Sequence, residues 1–294
     1  MPTTPSRRAM LFVPGNSTKM LAKIPDLAPA SFILDLEDSV PDPQKAGARD
    51  LVGALTREVT RGYELHVRIN EVNSEHAAHD VAAVMGPGLA GVVVPKVESA
   101  ADVERVNAWI DEAADSLGYD ARDVSVIATI ETARGLHHVH EIAAAGGHLE
   151  LLGFGSGDFA LDVGLEWPSA EGTPEIMLWA KVQLVLASRV AGLAAPHDGS
   201  FTDYRDLEGL ARESRESRRQ GFGGKHVVHP SQIPVVDRIF RPDARQVDRA
   251  RRIVSAFEEA ERSGRGTVGV EGELVDYAIV KRARQLLAEL DPPG

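Results

Sequence analysis

Short apolar runs recur along the chain at a nearly constant interval, and glycine, proline or polar residues follow them. The runs lack the regular alternation of apolar and polar residues that marks a half-exposed strand. Unbroken apolar runs of this length are typical of parallel strands that are buried on both faces. They occupy residues 10–13, 32–34, 65–67, 92–94, 124–130, 151–154, 192–195 and 226–228.

The spacing of these runs predicts the fold. They lie about 31 residues apart on average, which is the length that one strand, one crossover helix and two loops need. Eight such units predict an α/β protein with a TIM barrel, the (β/α)8 fold, which takes about 250 residues. The chain of 294 residues therefore accommodates a barrel over 1–240. Residues 241–294 remain as a C-terminal extension that packs on the barrel or on a neighbouring subunit.

Local signals place helices between the runs and in the extension. Asp42 followed by Pro43 is typical of an N-cap with proline in the first helical position. Thr173 and Pro174 show the same pattern ahead of a long helix that Gly192 ends. The helices predicted in this way cover 175–190, 243–261 and 276–290, and β-like segments cover 267–270 and 273–275.

Composition and charge argue against several classes of protein. The net charge is −12, and the densest basic segment, 212–219, is interleaved with Glu213 and Glu216, so no nucleic-acid partner is expected. No apolar stretch reaches the length of a membrane span, and residues 1–8 lack the features of a secretory signal. The absence of cysteine excludes disulfides, thiolate catalysis and cysteine-ligated metals, and it fits a cytoplasmic protein.

Carboxylates follow two consecutive runs and predict a metal site. Glu131 ends the fifth run and Asp158 follows the sixth. Because neighbouring strand ends lie side by side at the mouth of a barrel, both side chains are expected to converge on one cation. Two carboxylates, completed by water and substrate oxygens, form the coordination that Mg2+ prefers. A lone carboxylate at a strand end is more often a helix cap or an ion-pair partner, but a second acidic pair, Glu37 and Asp38, favours the metal.

Basic residues follow the third and fourth runs and are expected at the same mouth. Arg68 ends the third run, and its planar guanidinium suits bidentate capture of a substrate carboxylate. An ion pair with Glu37 or Asp38 is the alternative, and it is compatible with that role. Lys96 follows the fourth run. A Schiff-base lysine is an alternative there, but a metal site makes it redundant.

Small residues after the sixth run predict a ligand-binding loop. Gly155, Ser156 and Gly157 precede Asp158, and such a loop lets backbone N–H groups come close to a carboxylate. Histidines carry less weight, because those on predicted helices lack the i, i+4 pair of a zinc site. His229 closes the eighth run and is interpreted as a hydrogen-bonded residue of the mouth rather than a general base. The helical histidines, interpreted as surface residues, are His76, His79, His137, His138 and His140.

Several motifs together carry a family resemblance. They are RAMLFVPG (8–15), ILDLEDSV (33–40), KAGAR (45–49), VRIN (67–70), VPKVES (94–99), IETA (130–133), GFGGK (221–225) and HPSQI (229–233). With these motifs, the chain resembles the citrate lyase β-subunit-like family of the HpcH/HpaI aldolase/citrate lyase superfamily, which includes malyl-CoA and citramalyl-CoA lyases. The likeness extends from about residue 7 to residue 287.

The resemblance implies a TIM barrel that binds Mg2+, or Mn2+ in its place, through Glu131 and Asp158, with Arg68 on the carboxylate of an α-keto acid. It also implies a homotrimer or a hexamer. In that family an aspartate from the C-terminal segment of an adjacent subunit is the catalytic acid/base, and Asp276 matches it. Ala278 stands where the family often has proline, a departure that bears on the geometry of this lid.

The resemblance further implies a substrate class. A β-hydroxyacyl thioester of coenzyme A, such as malyl-, citramalyl- or citryl-CoA, is cleaved to an α-keto acid and an acyl-CoA, and Arg7, Lys19 and Lys45 are candidate contacts to the coenzyme A phosphates. The alternatives are a malyl-CoA thioesterase, a free-acid aldolase with the same metal site, and the β subunit of a citrate lyase complex that carries the acyl group on a partner protein. The candidate catalytic residues are Asp276, Arg68, Glu37 and Asp38, and the candidate substrate contacts are Arg68, Gly155, Ser156 and Gly157.

Overall fold

The computed structural model of the chain describes residues 7–27, 30–59, 62–166 and 173–288. Eight parallel strands close into a barrel in the order in which they follow one another along the chain, which confirms the predicted fold. The strands are β1 (Ala9–Pro14), β2 (Ser31–Asp35), β3 (Glu64–Arg68), β4 (Leu89–Val94), β5 (Ser125–Ile130), β6 (Leu149–Phe154), β7 (His197–Asp198) and β8 (Gly224–Val227).

Helices connect the strands of the barrel and continue beyond it. Those of the barrel are α1 (Thr18–Leu21), α2 (Lys45–Thr56), α3 (Ala77–Val84), α4 (Ala100–Leu117), α5 (Ala133–His137), α6 (Val139–Ala143), α7 (Ser156–Asp162), α8 (Glu175–Ala191), α9 (Leu207–Gln220) and α10 (Ile233–Phe240). The C-terminal segment holds α11 (Ala244–Arg262), a hairpin of β9 (Val268–Val270) and β10 (Glu273–Val275), and α12 (Tyr277–Ala288). Within the described ranges, no helix is both long and apolar enough to cross a membrane.

The apolar runs form strands because both faces of each strand are covered. Ile33 packs with Met10 and Val93 in a small cluster, whereas its neighbours Phe32 and Leu34 belong to the large core that includes the surrounding helices. Successive side chains of a strand point to opposite faces, so the small cluster fills the inside of the barrel. Continuous apolar sequence is therefore what this architecture requires.

The seventh strand is the exception, because the predicted run over 192–195 is not a strand. The strand is His197–Asp198, the polar pair that follows that run. Both residues are buried, and the carboxylate of Asp198 lies 3.0 Å from Lys181 Nζ and 2.7 Å from Lys225 Nζ. A strand whose buried charges neutralise one another has no apolar signature, so hydropathy alone points to the wrong residues.

Helix boundaries follow the predicted caps, with shifts of a residue or two. Gly192 ends α8 with a left-handed φ of 75°, as expected. Pro174 rather than Thr173 is the N-cap of α8. A 3-10 turn over Asp42–Gln44 precedes α2, so Asp42 lies inside the first turn and does not cap it. Asp243 caps α11 by accepting from Gln246 N.

Internal contacts divide the chain into two compact units, Met1–Phe240 and Arg241–Gly294. The second unit has its own core, in which Ile253, Phe257 and Val280 are buried. Its last helix is described as far as Ala288, and the predicted end at 290 lies outside the described residues. The lead-in over 1–6 lies outside them as well.

Candidate active site

The polar residues at the carboxyl ends of β2 and β3 form one connected ion-pair network. The register places Asp35, the last residue of β2, beside Arg68, the last residue of β3. Arg68 donates through Nε and Nη2 to the two carboxylate oxygens of Asp35, at 2.7 and 2.8 Å. Its guanidinium also lies 4.8 Å from the centre of the Phe12 ring. This bidentate pair orients Arg68 rigidly in the mouth of the barrel.

The part of the Arg68 guanidinium that can reach a ligand therefore differs from the part that the sequence indicated. Its fork, expected to bind a substrate carboxylate, is occupied by Asp35. Nη1 remains, and it lies 3.0 Å from Glu37 Oε2 and 3.7 Å from Asp38 Oδ2. The ion pair considered as the alternative is thus present. Sequence reasoning missed the role of Asp35, the last residue of β2, which precedes Glu37 by two residues.

Glu37 is buried between two cations and still resists ionisation. Its carboxylate lies 3.0 Å from Arg68 Nη1 and 3.0 Å from Lys96 Nζ, which also binds Glu71 at 2.6 Å. Burial raises the pKa of Glu37 to about 7, and the charge of Asp38 adds to this rise while Arg68 and Lys96 oppose it. Glu37 can therefore exchange a proton near neutral pH.

Lys96 holds Glu131 through its backbone. The residue has a positive φ of 46°, which is uncommon for a residue with a side chain. Its N–H donates to Glu131 Oε1 at 2.8 Å. Strained backbone of this kind persists where the surrounding structure requires it, and it is found most often at functional sites.

Glu131 packs against the backbone of Gly155, which follows the next strand, β6. A Cβ atom placed on Gly155 would lie 2.0 Å from Glu131 Oε2 and 2.4 Å from its Cβ. Only glycine fits at this position, which gives the glycine-rich loop after β6 a physical reason. The loop leads into the first turn of α7, and the charge of Asp158 in that turn raises the pKa of Glu131.

The electrostatics of Glu131 indicate an excess of negative charge. The residue is 2% exposed, and its burial raises the pKa to about 8. The carboxylates of Glu37 and Asp158 raise that pKa further, while Arg68 and the N–H of Lys96 lower it. A buried carboxylate with acidic neighbours is stabilised in its charged form by a bound cation.

The donor set at this site fits a hard divalent cation. Glu131 and Asp158 supply carboxylate oxygens, which are the ligands of Mg2+ and Mn2+. In the described part of the chain, no three histidine, cysteine, aspartate or glutamate side chains form a metal site by themselves. A site with two protein carboxylates suits Mg2+, because this ion keeps several positions for water and substrate.

The loop over 155–157 offers backbone donors. Gly155 is the N-cap of α7, and the first intrahelical bond runs from Phe159 N to Gly155 O. The N–H groups of Ser156, Gly157 and Asp158 precede that bond, so they have no partner within the helix. Donors at the start of a helix favour an anionic group.

The structure assigns Lys45 to positioning rather than to coenzyme A. Its ammonium donates to the carbonyl oxygens of Leu36 and Glu37, each at 3.0 Å, and to the side chain of Asn70. A lysine has three N–H donors, so these contacts use all of them. Lys45 therefore holds in place the segment after β2 that carries Glu37. Lys19, in α1 after β1, is exposed on the same rim of the barrel.

Arg7 lies at the opposite end of the barrel and has no part in this site. It precedes β1 and pairs with Glu64 at 2.8 Å and with Glu150 at 2.6 Å. These acids stand at the beginning of β3 and β6, so all three groups lie at the amino ends of the strands. Its position before the first strand makes its distance from the mouth predictable, although residue type alone suggested a phosphate contact.

Asp276 lies in the second unit, where it is exposed and caps α12. Its Oδ1 accepts from Ala278 N at 3.0 Å and from Ile279 N at 3.1 Å. Proline has no N–H, so the alanine at 278 permits a bond that the residue common in the resembled family excludes. His229, two residues after β8, bonds with Ser231, and its ring stacks on the ring of Tyr204 with 4.9 Å between the ring centres.

Comparisons with known proteins found similar sequences over most of the chain. Residues 8–230 match the family model described as HpcH/HpaI aldolase/citrate lyase. The chain is 34% identical to the citrate lyase subunit beta of Haemophilus influenzae over 96% of both chains. Two proteins of Cereibacter sphaeroides are also similar: a (3S)-malyl-CoA thioesterase, 35% identical over 97% of this chain and 94% of the other, and an L-malyl-CoA/beta-methylmalyl-CoA lyase, 34% identical over 99% and 97%.

A solved structure extends the likeness to three dimensions. The CitE protein of Mycobacterium tuberculosis, in complex with magnesium, acetoacetate and coenzyme A, is 31% identical to this chain. The match covers 99% of this chain and 100% of that one, with a TM-score of 0.77. Both units of the present chain therefore have counterparts in that protein.

Proposed function

We propose that this chain, which belongs to the HpcH/HpaI aldolase/citrate lyase family, is a Mg2+-dependent carbon–carbon lyase that acts on a β-hydroxyacyl thioester of coenzyme A. The products are an α-keto acid and an acyl-CoA, and the substrate is of the malyl-, citramalyl- or citryl-CoA type. The observation that carries the proposal is the buried Glu131 carboxylate, whose pKa is raised to about 8 by burial and by its acidic neighbours Glu37 and Asp158.

Glu131 and Asp158 would hold the metal ion. When bound, Mg2+ supplies Lewis-acid stabilisation of negative charge on the hydroxyl and carboxylate oxygens of the substrate, and Mn2+ offers the same chemistry. The N–H of Lys96 and the close approach of Gly155 keep Glu131 in one position. A ligand held this rigidly needs no rearrangement when the cation arrives.

Arg68 and the loop over 155–157 would bind the substrate carboxylate. Asp35 fixes the guanidinium, and Nη1 faces Glu37 and Asp38 in the mouth. The N–H groups at the start of α7 provide further donors on the same side as Asp158. Together they orient the acyl chain so that its hydroxyl group comes close to Glu37.

The chemistry requires one proton to leave and one to arrive. Glu37, with a pKa raised by burial to about 7, accepts the hydroxyl proton. The bond between the α- and β-carbons then breaks, its electron pair moves to the acyl-CoA fragment as an enolate, and the hydroxyl carbon becomes the carbonyl of the keto acid. Asp276 of a neighbouring subunit protonates the enolate. Asp38, which is more exposed than Glu37, helps to orient Arg68.

Coenzyme A binding and assembly complete the proposal. Lys19, exposed on the rim, contacts a phosphate of coenzyme A. The chain forms a homotrimer or a hexamer, in which 241–294 acts as a lid over a neighbouring subunit. Co-expression of Glu131→Gln and Asp276→Asn chains tests this arrangement, because hybrid sites combine an intact barrel with an intact lid. Recovered activity supports the shared site, and hybrids as inactive as either parent contradict it.

The experiment that tests the function is a substrate panel. Purified protein is incubated with malyl-, citramalyl-, citryl- and hydroxymethylglutaryl-CoA, with Mg2+ or with EDTA, and keto-acid release is recorded. We expect cleavage of at least one thioester, loss of cleavage in EDTA, and recovery when Mg2+ is returned. Keto-acid release that persists in EDTA, or its absence with every thioester, contradicts the proposal.

The similarity to a (3S)-malyl-CoA thioesterase supports a second candidate, hydrolysis of the thioester at the same metal site. Recording free thiol separately from keto acid distinguishes the two, because the lyase releases keto acid without free thiol. The similarity to a citrate lyase subunit beta supports a third, action on a carrier-bound acyl group. Cleavage of free CoA thioesters by the purified chain alone would argue against that candidate, and free-acid cleavage would favour an aldolase.

A further inference from the structure

The outer face of α8 is apolar, which is unusual for a helix on the surface of a barrel. Its inner face is buried and includes Met177, Leu184 and Ala187. Surface helices normally present polar residues to solvent. The large apolar side chains exposed on this helix recur at helical spacing: Ile176 (40% exposed), Trp179 (55%), Val182 (45%), Leu186 (49%) and Val190 (82%).

The next helix of the barrel provides an internal comparison. The exposed positions of α9 are Glu208, Arg212, Arg215 and Arg219, all of them charged. Both helices cover neighbouring strands of one barrel, so their position in the fold does not explain the difference. Exposed apolar side chains grouped on one face are typical of an interaction site, and tryptophan is enriched at the centres of protein contacts.

The apolar face of α8 has an approximate two-fold symmetry along the sequence. The midpoint of Trp179 and Leu186 lies between residues 182 and 183, and the midpoint of Ile176 and Val190 is residue 183. The exposed charges follow the same symmetry, because Glu175 near the start and Arg189 near the end are centred on residue 182. A second copy of α8, turned end to end, therefore brings Trp179 opposite Leu186 and the acidic start of one helix near the basic end of the other.

We propose that α8 is a dimerisation surface, on which it packs antiparallel against α8 of a second copy of this chain. In this arrangement Trp179 meets Leu186 of the other copy, and Glu175 lies near the Arg189 of that copy. Such a contact is isologous, because the same patch serves both partners. It joins two trimers into a hexamer, one of the two assemblies proposed above, and it does not depend on the proposed activity.

A single cysteine tests the symmetry of the contact. The chain has no cysteine, so Val182→Cys introduces one thiol next to the two-fold axis. The control, Arg215→Cys, carries its thiol on the charged face of α9. Under mild oxidation of dilute protein, we expect a covalent dimer for Val182→Cys and none for Arg215→Cys. A Val182→Cys chain that stays monomeric on a non-reducing gel overturns the proposal, as does equal crosslinking of both variants.

The mass of the assembly provides an independent test. Trp179→Asp combined with Leu186→Asp is expected to halve the mass measured by light scattering, from hexamer to trimer. Arg215→Asp combined with Arg219→Asp is the matched control and should leave the mass unchanged. Circular dichroism verifies that both variants are folded. An unchanged mass, or a fall to one third, contradicts an isologous contact on α8, and the latter identifies a three-fold contact instead.

Charge reversal tests the antiparallel orientation. Glu175 and Arg189 are about 21 Å apart along one helix, so they cannot pair within a chain. Glu175→Arg or Arg189→Glu alone places like charges opposite each other and should raise the dissociation constant about tenfold. The double variant should restore association. Failure of the double variant to recover relative to both single variants excludes this orientation and with it the proposed contact.

Discussion

Two buried carboxylates in the same barrel have opposite electrostatic environments. Asp198 in β7 is 1% exposed and Glu131 at the end of β5 is 2% exposed. Burial by itself raises the pKa of both. Lys181 and Lys225 overcome this effect at Asp198 and hold its pKa below the ordinary value. Glu131 has Glu37 and Asp158 beside it instead, and its pKa rises to about 8.

The difference separates an acid that is paired with cations within the fold from one that we propose binds a metal ion. Asp198 is paired with cations within the protein: it lies 3.0 Å from Lys181 and 2.7 Å from Lys225, and it accepts from Ser217 at 2.6 Å. Such a group stabilises the fold only as long as every partner stays in place. Within the described residues Glu131 forms no ion pair, and the charge of Arg68 only partly offsets its acidic neighbours, so the proposed cation would complete its site. The burial of a carboxylate therefore indicates little until its neighbours are counted.

Glu131→Gln is expected to have the largest effect. It keeps the shape of the side chain and removes the charge that holds the cation, so keto-acid release should fall by about 10³-fold, or about 4 kcal/mol in the transition state. The free energy of unfolding should stay the same or increase, because the substitution removes a buried carboxyl group whose ionised form the fold disfavours. Steady-state assays and urea unfolding measure the two quantities. Normal turnover by this variant would refute the assignment of the site.

Asp198→Ala should show the reverse pattern. It leaves Lys181 and Lys225 buried without their shared partner, and breaking a buried pair costs about 3 kcal/mol or more. Activity per folded molecule should change little, because Asp198 faces the helices rather than the mouth. Urea unfolding at pH 7, together with an assay at low temperature, is the measurement. A loss of stability below about 1 kcal/mol would remove the contrast between the environments of Asp198 and Glu131.

The pH dependence of stability sharpens the comparison. The folded-state pKa of Glu131 is about 8, above its ordinary value of 4.5, so without metal the folded chain binds a proton that the unfolded chain has lost. Its contribution to stability therefore falls as pH rises from about 4.5 to 8, by at most about 1.4 kcal/mol per pH unit. Buried histidines act in the opposite direction below about pH 6.5, so the difference between wild type and Glu131→Gln isolates the effect.

Saturating Mg2+ should remove most of this decrease, because the cation replaces the proton. Thermal unfolding between pH 5 and 9, with and without Mg2+, measures it for both proteins. If the two proteins have parallel profiles, the pKa of Glu131 is not raised in the folded state. That result would contradict the electrostatic difference between Glu131 and Asp198.

The smallest expected effects come from replacing one lysine in each environment with methionine: Lys225, beside Asp198, and Lys96, beside Glu37. Lys225→Met leaves buried Asp198 with Lys181 as its remaining lysine and should cost about 2 kcal/mol of stability. Lys96 is 29% exposed, so Lys96→Met should cost less than about 1 kcal/mol. It should nevertheless lower kcat about tenfold, because Glu37 loses a cation that holds it ionised. Equal losses of stability in both variants would contradict the distinction between the clusters.

The sequence predicted the barrel because its strands are buried on both faces. Seven of the eight predicted runs overlap strands of the structure. The seventh was misplaced because His197 and Asp198 are buried polar residues, which apolar runs do not detect. Residues at carboxyl ends of strands were predictable in position, since chain direction alone brings Arg68, Glu131 and Asp158 to one end of the barrel.

The partners of those residues were less predictable. That the fork of Arg68 is occupied by Asp35 depends on the register between β2 and β3, which no local pattern specifies. Lys45 and Arg7 have the residue type of phosphate contacts, but three-dimensional pairing uses their donors within the protein. Residue type thus indicated which chemistry is available, and pairing in the fold decides which groups remain for a ligand.

The most direct test of the central claim is a titration with Mn2+ followed by electron paramagnetic resonance, in which free Mn2+ gives the signal and bound Mn2+ loses it. Wild-type protein is expected to bind one ion per chain, and Mg2+ should displace it. Glu131→Gln and Asp158→Asn should leave the signal of free Mn2+ unchanged at the same concentrations. If both variants bind Mn2+ as the wild type does, these two carboxylates do not hold the cation.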